Sequence, residues 1–171
     1  MDDLKAYIRE VPDFPKPGIL YYDISTLLKD PAALRMTIDR FVWLFATQDV
    51  DKVAGIESRG FMFGSIVAYN LNAGFVPIRK PGKLPAKKVG ETYELEYGSD
   101  RLEMHEDAIE PGDRVLIVDD LIAIGGTAAA TTRLVESVGG EVVGLGFVVE
   151  LTFLEGRKKL EGYSVESLIK Y

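Results

Sequence analysis

Apolar side chains recur along this chain with the spacing of alternating helices and strands. After the pair Asp30-Pro31, apolar residues recur at helical spacing, at Leu34, Ile38, Phe41, Val42 and Phe45. An acidic N-cap and a first-turn proline are typical signals of a helix start. Apolar runs at 52–56 and 75–78 flank a helical segment at 61–70. This pattern predicts a strand–helix–strand unit with parallel strands.

The second half of the chain repeats this alternation. Residues 115–118 are a continuous, mostly β-branched run, as expected for a parallel strand buried on both faces. A helix is predicted over 126–138, ending at Gly139-Gly140, and a strand over 141–149. The fold class is therefore α/β, a doubly wound parallel sheet. In such sheets ligands bind beyond the carboxyl ends of the strands.

Two further elements are predicted outside this sheet. Residues 91–97 alternate in polarity, and Gly98-Ser99-Asp100 turns the chain back through Leu102 and Met104. This pattern indicates a protruding β-hairpin. Residues 2–11 are predicted to form a short helix, which the prolines and glycine of 14–18 bring to an end.

Composition narrows the class of protein. A length of 171 residues with 47% apolar content suits a single domain spanning 1–171. Cysteine is absent, and no apolar stretch resembles a signal or membrane segment, so we expect a soluble, cytoplasmic protein without membrane contact. A net charge of −7 and a pI near 4.8 argue against a nucleic-acid partner.

One basic cluster interrupts this acidic chain. Residues 79–88 contain five cations, Arg79, Lys80, Lys83, Lys87 and Lys88. Such a run is either a solvated loop or a site for a bound polyanion.

The string VLIVDDLIAIGGT at 115–127 carries the most specific chemistry. Gly125 and Gly126 permit a tight turn whose amides face a helix start, where phosphate is favoured. Thr127 adds a hydroxyl donor, whereas Asp119 and Asp120 suit the vicinal hydroxyls of a ribose. The predicted ligand is a sugar phosphate.

Other nucleotide-binding loops fit less well. In a Rossmann fingerprint the acidic residue follows the glycines, but here the acids precede them. The string GIESRGF at 55–61 has the glycine spacing of a Walker A loop, but Phe61-Met62 replaces the required Lys-Ser or Lys-Thr. An ATPase is therefore not indicated.

The string at 115–127 resembles the phosphoribosyl diphosphate signature of the type I phosphoribosyltransferases. Four more segments resemble the branch of that family that acts on adenine, and with the signature they span most of the chain in order. They are FPKPGI at 14–19, GIESRGF at 55–61, IRKPGKLP at 78–85 and LEYG at 95–98.

The resemblance implies a role for each matching residue. Asp119 and Asp120 would hold the ribose hydroxyls, and the 5′-phosphate would bind the Thr127 hydroxyl and the amides of Ala123, Ile124, Gly125, Gly126 and Thr127. Arg59 would bind the diphosphate leaving group. The remaining charge of the diphosphate would be met by Arg79, Lys80 and Lys83. In relatives this contact crosses the interface of a homodimer.

The resemblance also places the base and the flap. A purine would lie between Tyr21 and Leu121, with main-chain groups near Leu20 and Tyr22 reading its edge. Glu96 and Tyr97 would lie on a mobile flap, the hairpin, that closes over the reacting carbon and excludes water. Glu96 would orient a group or accept a proton.

The implied reaction transfers a phosphoribosyl group from phosphoribosyl diphosphate to adenine, giving AMP and diphosphate. Mg²⁺ is the implied cofactor, held mainly through substrate oxygens rather than by the protein alone. His105 is the single histidine and is expected to be an exposed hairpin side chain without a zinc site or triad.

Two positions depart from the family pattern. Tyr22 stands where the family usually has Arg, and Ile124 stands where it usually has a phosphate-binding Thr. Two alternatives therefore remain, a transferase for another base and a regulator that binds ribose phosphate without catalysis. Side-by-side turnover of different bases tests the first alternative, and any measurable turnover excludes the second.

Overall fold

The computed structural model describes residues 4–94 and 98–171. Its strands are β1 (Arg9–Pro12), β2 (Leu20–Asp23), β3 (Lys52–Ile56), β4 (Gly74–Ile78), β5 (Lys88–Glu94), β6 (Ser99–His105), β7 (Arg114–Ile122), β8 (Glu141–Glu150) and β9 (Val165–Lys170). The α-helices are α1 (Ser25–Leu28), α2 (Pro31–Phe45), α3 (Arg59–Asn70) and α4 (Gly126–Ser137), and 3₁₀ turns lie at Leu4–Tyr7, Thr152–Leu154 and Gly156–Leu160.

A five-stranded sheet in the order β4-β3-β7-β8-β9 forms the centre of the fold, and every neighbouring pair in it is parallel. One apolar core packs α4 and the β5–β6 hairpin against this sheet. A second core packs α2 and α3 against it. The doubly wound parallel sheet predicted from the sequence is therefore confirmed.

Helix α2 shows how local chemistry sets an element boundary. The Asp30 carboxylate accepts hydrogen bonds from the amides of Ala32 and Ala33, at 3.0 and 2.9 Å. Pro31 occupies the first turn, where its missing amide hydrogen costs nothing. Ile38, Phe41 and Phe45 then fall on the buried face.

The hairpin is confirmed, with β5 and β6 antiparallel, but its base does not protrude freely. Tyr93, Leu102 and Met104 are buried in the core beside α4. Glu103 forms an antiparallel bridge with Arg79, which ties the hairpin to the segment after β4. His105 is only partly exposed, contrary to expectation, because its Nε2 accepts a hydrogen bond from the Ala86 amide at 3.4 Å.

The predicted helix at 2–11 is wrong. A short 3₁₀ turn at Leu4–Tyr7 leads instead into β1, which pairs antiparallel with β2. The Arg9 guanidinium donates to the Asp23 carboxylate at 3.0 Å across this pair. Pairing with β2 gives the backbone amides and carbonyls of β1 hydrogen-bond partners. An isolated helix this short would be only marginally stable in water. No helix within 4–94 or 98–171 has the length and apolar content needed to cross a membrane.

Candidate active site

A cavity of about 270 Å³ opens at the carboxyl edge of the central sheet. It lies where β3 and β7 end and where α4 begins, as the topology predicts for a ligand site. The residues that line it are Ile56, Glu57, Arg59, Lys80, Tyr93, Leu102, Asp119, Asp120, Leu121, Ile122, Ala123, Ile124, Gly125, Gly126, Thr127, Ala128 and Phe147.

Two adjacent carboxylates lie at the floor of this cavity. Strand β7 runs on to Ile122, so Asp119 and Asp120 belong to the strand itself rather than to the segment after it. Burial, and then the neighbouring Asp120 carboxylate, raise the pKa of Asp119 well above its usual range. Burial also raises the pKa of Asp120, against the opposing effect of the Arg59 guanidinium. The free protein therefore leaves the negative charge of these two carboxylates only partly compensated.

Arg59 connects these acids to the β1–β2 ribbon. It is the first residue of α3 rather than part of a loop, and its Nε lies 2.9 Å from Asp120 Oδ2. That approach lacks hydrogen-bond geometry, so the buried Oδ2 has no hydrogen-bond donor among residues 4–94 and 98–171. The Arg59 guanidinium also donates to the Tyr21 hydroxyl. The Tyr21 ring lies 5.8 Å from the guanidinium carbon.

The glycine loop has the backbone conformation that its sequence predicts. Gly125 is the N-cap of α4 with φ +75°, a left-handed conformation that favours glycine. A Cβ on Gly125 would lie 2.3 Å from the Gly156 carbonyl oxygen, so a side chain is also excluded sterically. Ala123, Ile124 and Thr127 line the same cavity. The loop therefore presents its polar backbone at a helix N-terminus, where anions are stabilised.

The basic cluster is partly paired. Arg79 Nε donates to Glu57 Oε2 at 2.9 Å, and the Lys80 amide donates to the same oxygen at 2.9 Å. Partial burial alone would raise the pKa of Glu57, but these donors hold that pKa below its ordinary value. The Lys80 ammonium pairs with Asp100 on the hairpin and thereby lowers the pKa of that carboxyl.

The structure brings only some of the predicted residues to the cavity. Arg59, Lys80, Asp119, Asp120, Leu121 and the loop 123–127 line it, whereas Arg79, Lys83, Leu20, Tyr21 and Tyr22 do not. Tyr21 reaches the site through Arg59. The predicted roles of Glu96 and Tyr97 lie outside the described residues.

Tyr22 is directed into the core. Its ring is 8% exposed and packs at 4.0 Å from the ring of Tyr171. Burial, with the nearby Glu10 carboxylate, raises the pKa of the Tyr22 hydroxyl. Only the main chain at this position is available to a ligand, so the side-chain departure at Tyr22 is accounted for by packing.

Two residues at the cavity have roles that the sequence pattern did not predict. Glu57 positions Arg79 and Lys80, and Tyr93 donates its hydroxyl to Asp100 at 3.2 Å. Glu57 lies between two glycines directly after a buried strand, which was the available signal. The signal for Tyr93 was weaker, because its inward direction depends on how the hairpin packs.

The donor set suits a metal ion that arrives with a ligand. Within the described ranges, no three His, Asp or Glu side chains come together as a metal site. The orphaned Asp120 Oδ2 and the Asp119 carboxylate offer oxygens, which Mg²⁺ prefers while it retains several waters. These residues therefore fit a cation held mainly by phosphate oxygens.

A glycine loop, two carboxylates and cationic side chains surround one cavity in a doubly wound sheet, the arrangement expected of a phosphoribosyltransferase. The sequence matches the phosphoribosyl transferase domain family over residues 23–168. With relatives that align over their full length, the chain belongs to this family, in its adenine phosphoribosyltransferase branch.

The relatives are similar in both sequence and structure. The adenine phosphoribosyltransferase of Solibacter usitatus is 63% identical over 171 residues, covering 100% of this chain and 99% of the relative. The crystal structure of the Thermoanaerobacter pseudethanolicus enzyme is 54% identical with a TM-score of 0.95, covering 98% of each chain. The Saccharomyces cerevisiae enzyme, 44% identical with a TM-score of 0.91 over 96% of each chain, was crystallised with adenine and an imino-altritol bisphosphate.

Proposed function

We propose that this protein transfers the 5-phosphoribosyl group of phosphoribosyl diphosphate to adenine, giving AMP and diphosphate in purine salvage. The observation that carries the proposal is the cavity that combines the glycine loop, Asp119, Asp120 and Arg59. Its chemistry suits a ribose phosphate with an anionic leaving group.

The ribose phosphate would span the floor of the cavity. Amides of 123–127 and the Thr127 hydroxyl bind the 5′-phosphate at the N-terminus of α4. The carboxylates of Asp119 and Asp120 accept hydrogen bonds from the ribose hydroxyls. Both pKa values are raised in the free protein. Hydroxyl donors and a cationic sugar centre would oppose this rise, because they stabilise the ionised carboxylates.

The diphosphate would lie on the cationic side. Arg59 and Lys80 line the cavity, and Glu57 holds the Lys80 backbone and the Arg79 guanidinium beside it. Lys83 is exposed nearby and adds charge. Mg²⁺ bound to the diphosphate oxygens would further neutralise the leaving group.

Adenine would approach from the β1–β2 ribbon. Leu121 offers an apolar face in the cavity, and the Tyr21 hydroxyl accepts a hydrogen bond from Arg59, which lines the same cavity. Main-chain groups of Leu20 and Tyr22 would read the base edge. This arrangement suits a flat aromatic ligand.

Transfer then exchanges two bonds at one carbon. A ring nitrogen of adenine bonds to C1′, while the bond from C1′ to the diphosphate oxygen breaks and its electron pair leaves with diphosphate. The attacking nitrogen loses its proton, which Glu96 would accept or direct. The flap carrying Glu96 and Tyr97 would close from the anchored β5–β6 hairpin and exclude water.

We also propose a cytoplasmic homodimer. Met62, Ile66 and Tyr69 lie on one face of α3, and they are 39%, 37% and 86% exposed. An exposed apolar face of this kind suits a second copy of the chain. Size-exclusion chromatography with light scattering should give twice the mass of the chain, and Tyr69→Lys should favour the monomer. A wild-type monomer at assay concentration would contradict the dimer.

Turnover is the direct test of the function. Protein mixed with adenine, phosphoribosyl diphosphate and Mg²⁺ should form AMP and diphosphate, and chelation of the metal should stop the reaction. Parallel assays with hypoxanthine, guanine and uracil test the choice of base. The Asp119→Asn, Asp120→Asn double variant is the matched control and should be inactive while folded. Absence of AMP at every metal concentration would disprove the proposal.

A further inference from the structure

The 3₁₀ segment Gly156–Leu160 forms a wall directly behind the glycine loop. A Cβ on Gly156 would lie 2.2 Å from the Ala123 carbonyl oxygen and 2.9 Å from the Gly125 amide nitrogen. Only glycine allows backbone to approach backbone this closely. The conformation of the loop is therefore coupled to a segment about thirty residues further along the chain.

Two side chains hold this segment in place. Arg157 forms a two-point ion pair with Glu150, at 2.7 and 2.9 Å, and also donates to the Val165 carbonyl at 2.6 Å. Glu150 is 5% exposed, and Leu160 is 2% exposed in the core. The backbone between these anchors is consequently fixed relative to the sheet.

The two lysines between the anchors point to different surroundings. Lys158 pairs with Glu155 at 2.7 Å on the surface. The Lys159 ammonium lies 3.9 Å from the position that a Cβ on Gly126 would occupy, beside the first turn of α4. Within residues 4–94 and 98–171, Lys159 makes no ion pair or hydrogen bond.

The position of the Lys159 ammonium matters because of the other charges around the glycine loop. The two cations that line the cavity, Arg59 and Lys80, each face a carboxylate. The loop itself contributes amides and one hydroxyl but no full positive charge. A phosphate dianion bound there would therefore have the Lys159 ammonium beside it, a cation without an ion pair or hydrogen bond in the described chain.

We propose that Lys159 is a further substrate-binding residue, whose ammonium contacts the 5′-phosphate of the ribose phosphate held at Gly126. The inference rests on the proposed function, because it assumes that the loop binds that phosphate. It assigns the segment 156–160 two roles, since Gly156 shapes the loop and Lys159 supplies its charge.

Calorimetric titration of AMP, ribose 5-phosphate and adenosine into wild type, Lys159→Gln and Lys158→Gln tests this contact. A charged hydrogen bond at a partly solvated site predicts about tenfold weaker binding of both phosphates by Lys159→Gln. Adenosine lacks the phosphate, so its affinity should be unchanged. Lys158→Gln should match wild type, and Lys159→Arg should restore most of the phosphate affinity.

The outcomes separate this inference from the proposed function. Wild type that neither binds nor forms AMP would disprove both. Wild type that binds AMP no better than Lys159→Gln does would disprove the contact alone. Equal weakening of AMP and adenosine by Lys159→Gln, with a lower melting temperature, would also overturn it, because the lysine would then have a structural role.

Discussion

At the scale of single residues, the two carboxylates of β7 suit a ligand but lower the stability of the unliganded protein. A carboxyl whose pKa is raised on folding keeps its proton at pH values where the unfolded chain has lost it. The free energy of unfolding therefore falls as pH rises above the ordinary value of 3.8. Asp119 thus destabilises the unliganded protein at neutral pH.

Asp119→Asn should remove this cost. Asparagine keeps an oxygen for the Asp120 amide, which donates to Asp119 Oδ1 at 2.8 Å, and it carries no charge. We expect the unliganded variant to be about 1 kcal/mol more stable at pH 7, or roughly 3 °C in melting temperature, with much less transferase activity. Thermal unfolding between pH 3 and 8 measures this gain, which should vanish near pH 3. A constant difference across that range would contradict the assignment.

Arg59 should act on the chemical step as well as on binding. A cation that meets charge developing on diphosphate stabilises the transition state more than the bound substrate. Arg59→Ala should therefore lower kcat by about a hundredfold and also raise KM for phosphoribosyl diphosphate. Steady-state kinetics on folded protein provides the measurement.

Tyr21→Phe is the matched control for Arg59. It removes only the hydroxyl that accepts a hydrogen bond from Arg59 and leaves the ring in place. We expect less than a tenfold loss of kcat from this change. An unchanged kcat in Arg59→Ala would rule out the leaving-group role.

At the scale of elements, the contact between Gly156 and the glycine loop is the most sensitive feature of the site. Gly156→Ala should displace the loop, because the new methyl would lie 2.2 Å from the Ala123 carbonyl oxygen. We expect AMP affinity to fall by at least tenfold and stability to fall by about 1–3 kcal/mol. Titration and urea unfolding measure the two effects.

Gly162→Ala is the control variant for Gly156→Ala, because it adds a methyl group without a steric clash. Gly162 has φ +93°, and no atom lies within 4 Å of the position that a Cβ would take there, so alanine adds backbone strain alone. It should cost about 1 kcal/mol in stability without weakening AMP binding. Equal AMP affinity in both variants would show that Gly156 does not shape the loop.

The sequence predicts elements best where the signal is local. The N-cap and proline before α2, and the β-branched run in β7, identify those elements from a few neighbouring residues. The helix predicted at 2–11 fails because β1 depends on pairing with β2, further along the chain. Strand β9 was not predicted either, because it is specified by its parallel register with β8.

The same distinction holds for the site. The acids and glycines of 119–127 lie in one string, so their proximity could be inferred directly. Glu57 meets Lys80 and Lys159 meets Gly126 only through the tertiary fold, at separations of 23 and 33 residues. No local pattern encodes those contacts.

At the scale of the whole molecule, the Glu150–Arg157 pair joins β8, β9 and the 3₁₀ segment behind the loop. The Arg157 hydrogen bonds lower the pKa of Glu150, against the opposing effect of burial, and Ser167 donates to the same carboxylate at 2.6 Å. A lowered pKa contributes stability that is present above the ordinary value of 4.5 and is lost as pH falls through the folded value.

Glu150→Gln should therefore destabilise the protein by about 2 kcal/mol at pH 7, and the difference should shrink below pH 4.5. Glu141→Gln is the matched control, because Glu141 also pairs with an arginine but its side chain is 62% exposed. It should change stability by less than about 0.5 kcal/mol. Urea unfolding at pH 7 and pH 4 measures both. Equal effects of the two substitutions would contradict the anchoring role.

The paired state of the cations at the cavity also bears on how affinity responds to ionic strength. Arg59, Arg79 and Lys80 face carboxylates of the protein itself. An incoming diphosphate therefore competes with these internal anions for the cations, rather than with a diffuse atmosphere of dissolved counterions. Added salt weakens the cation–carboxylate pairs as it weakens the cation–phosphate pairs, so the two screening effects largely cancel. The affinity for diphosphate should therefore decline less with added salt than it would if the three cations were solvated and unpaired.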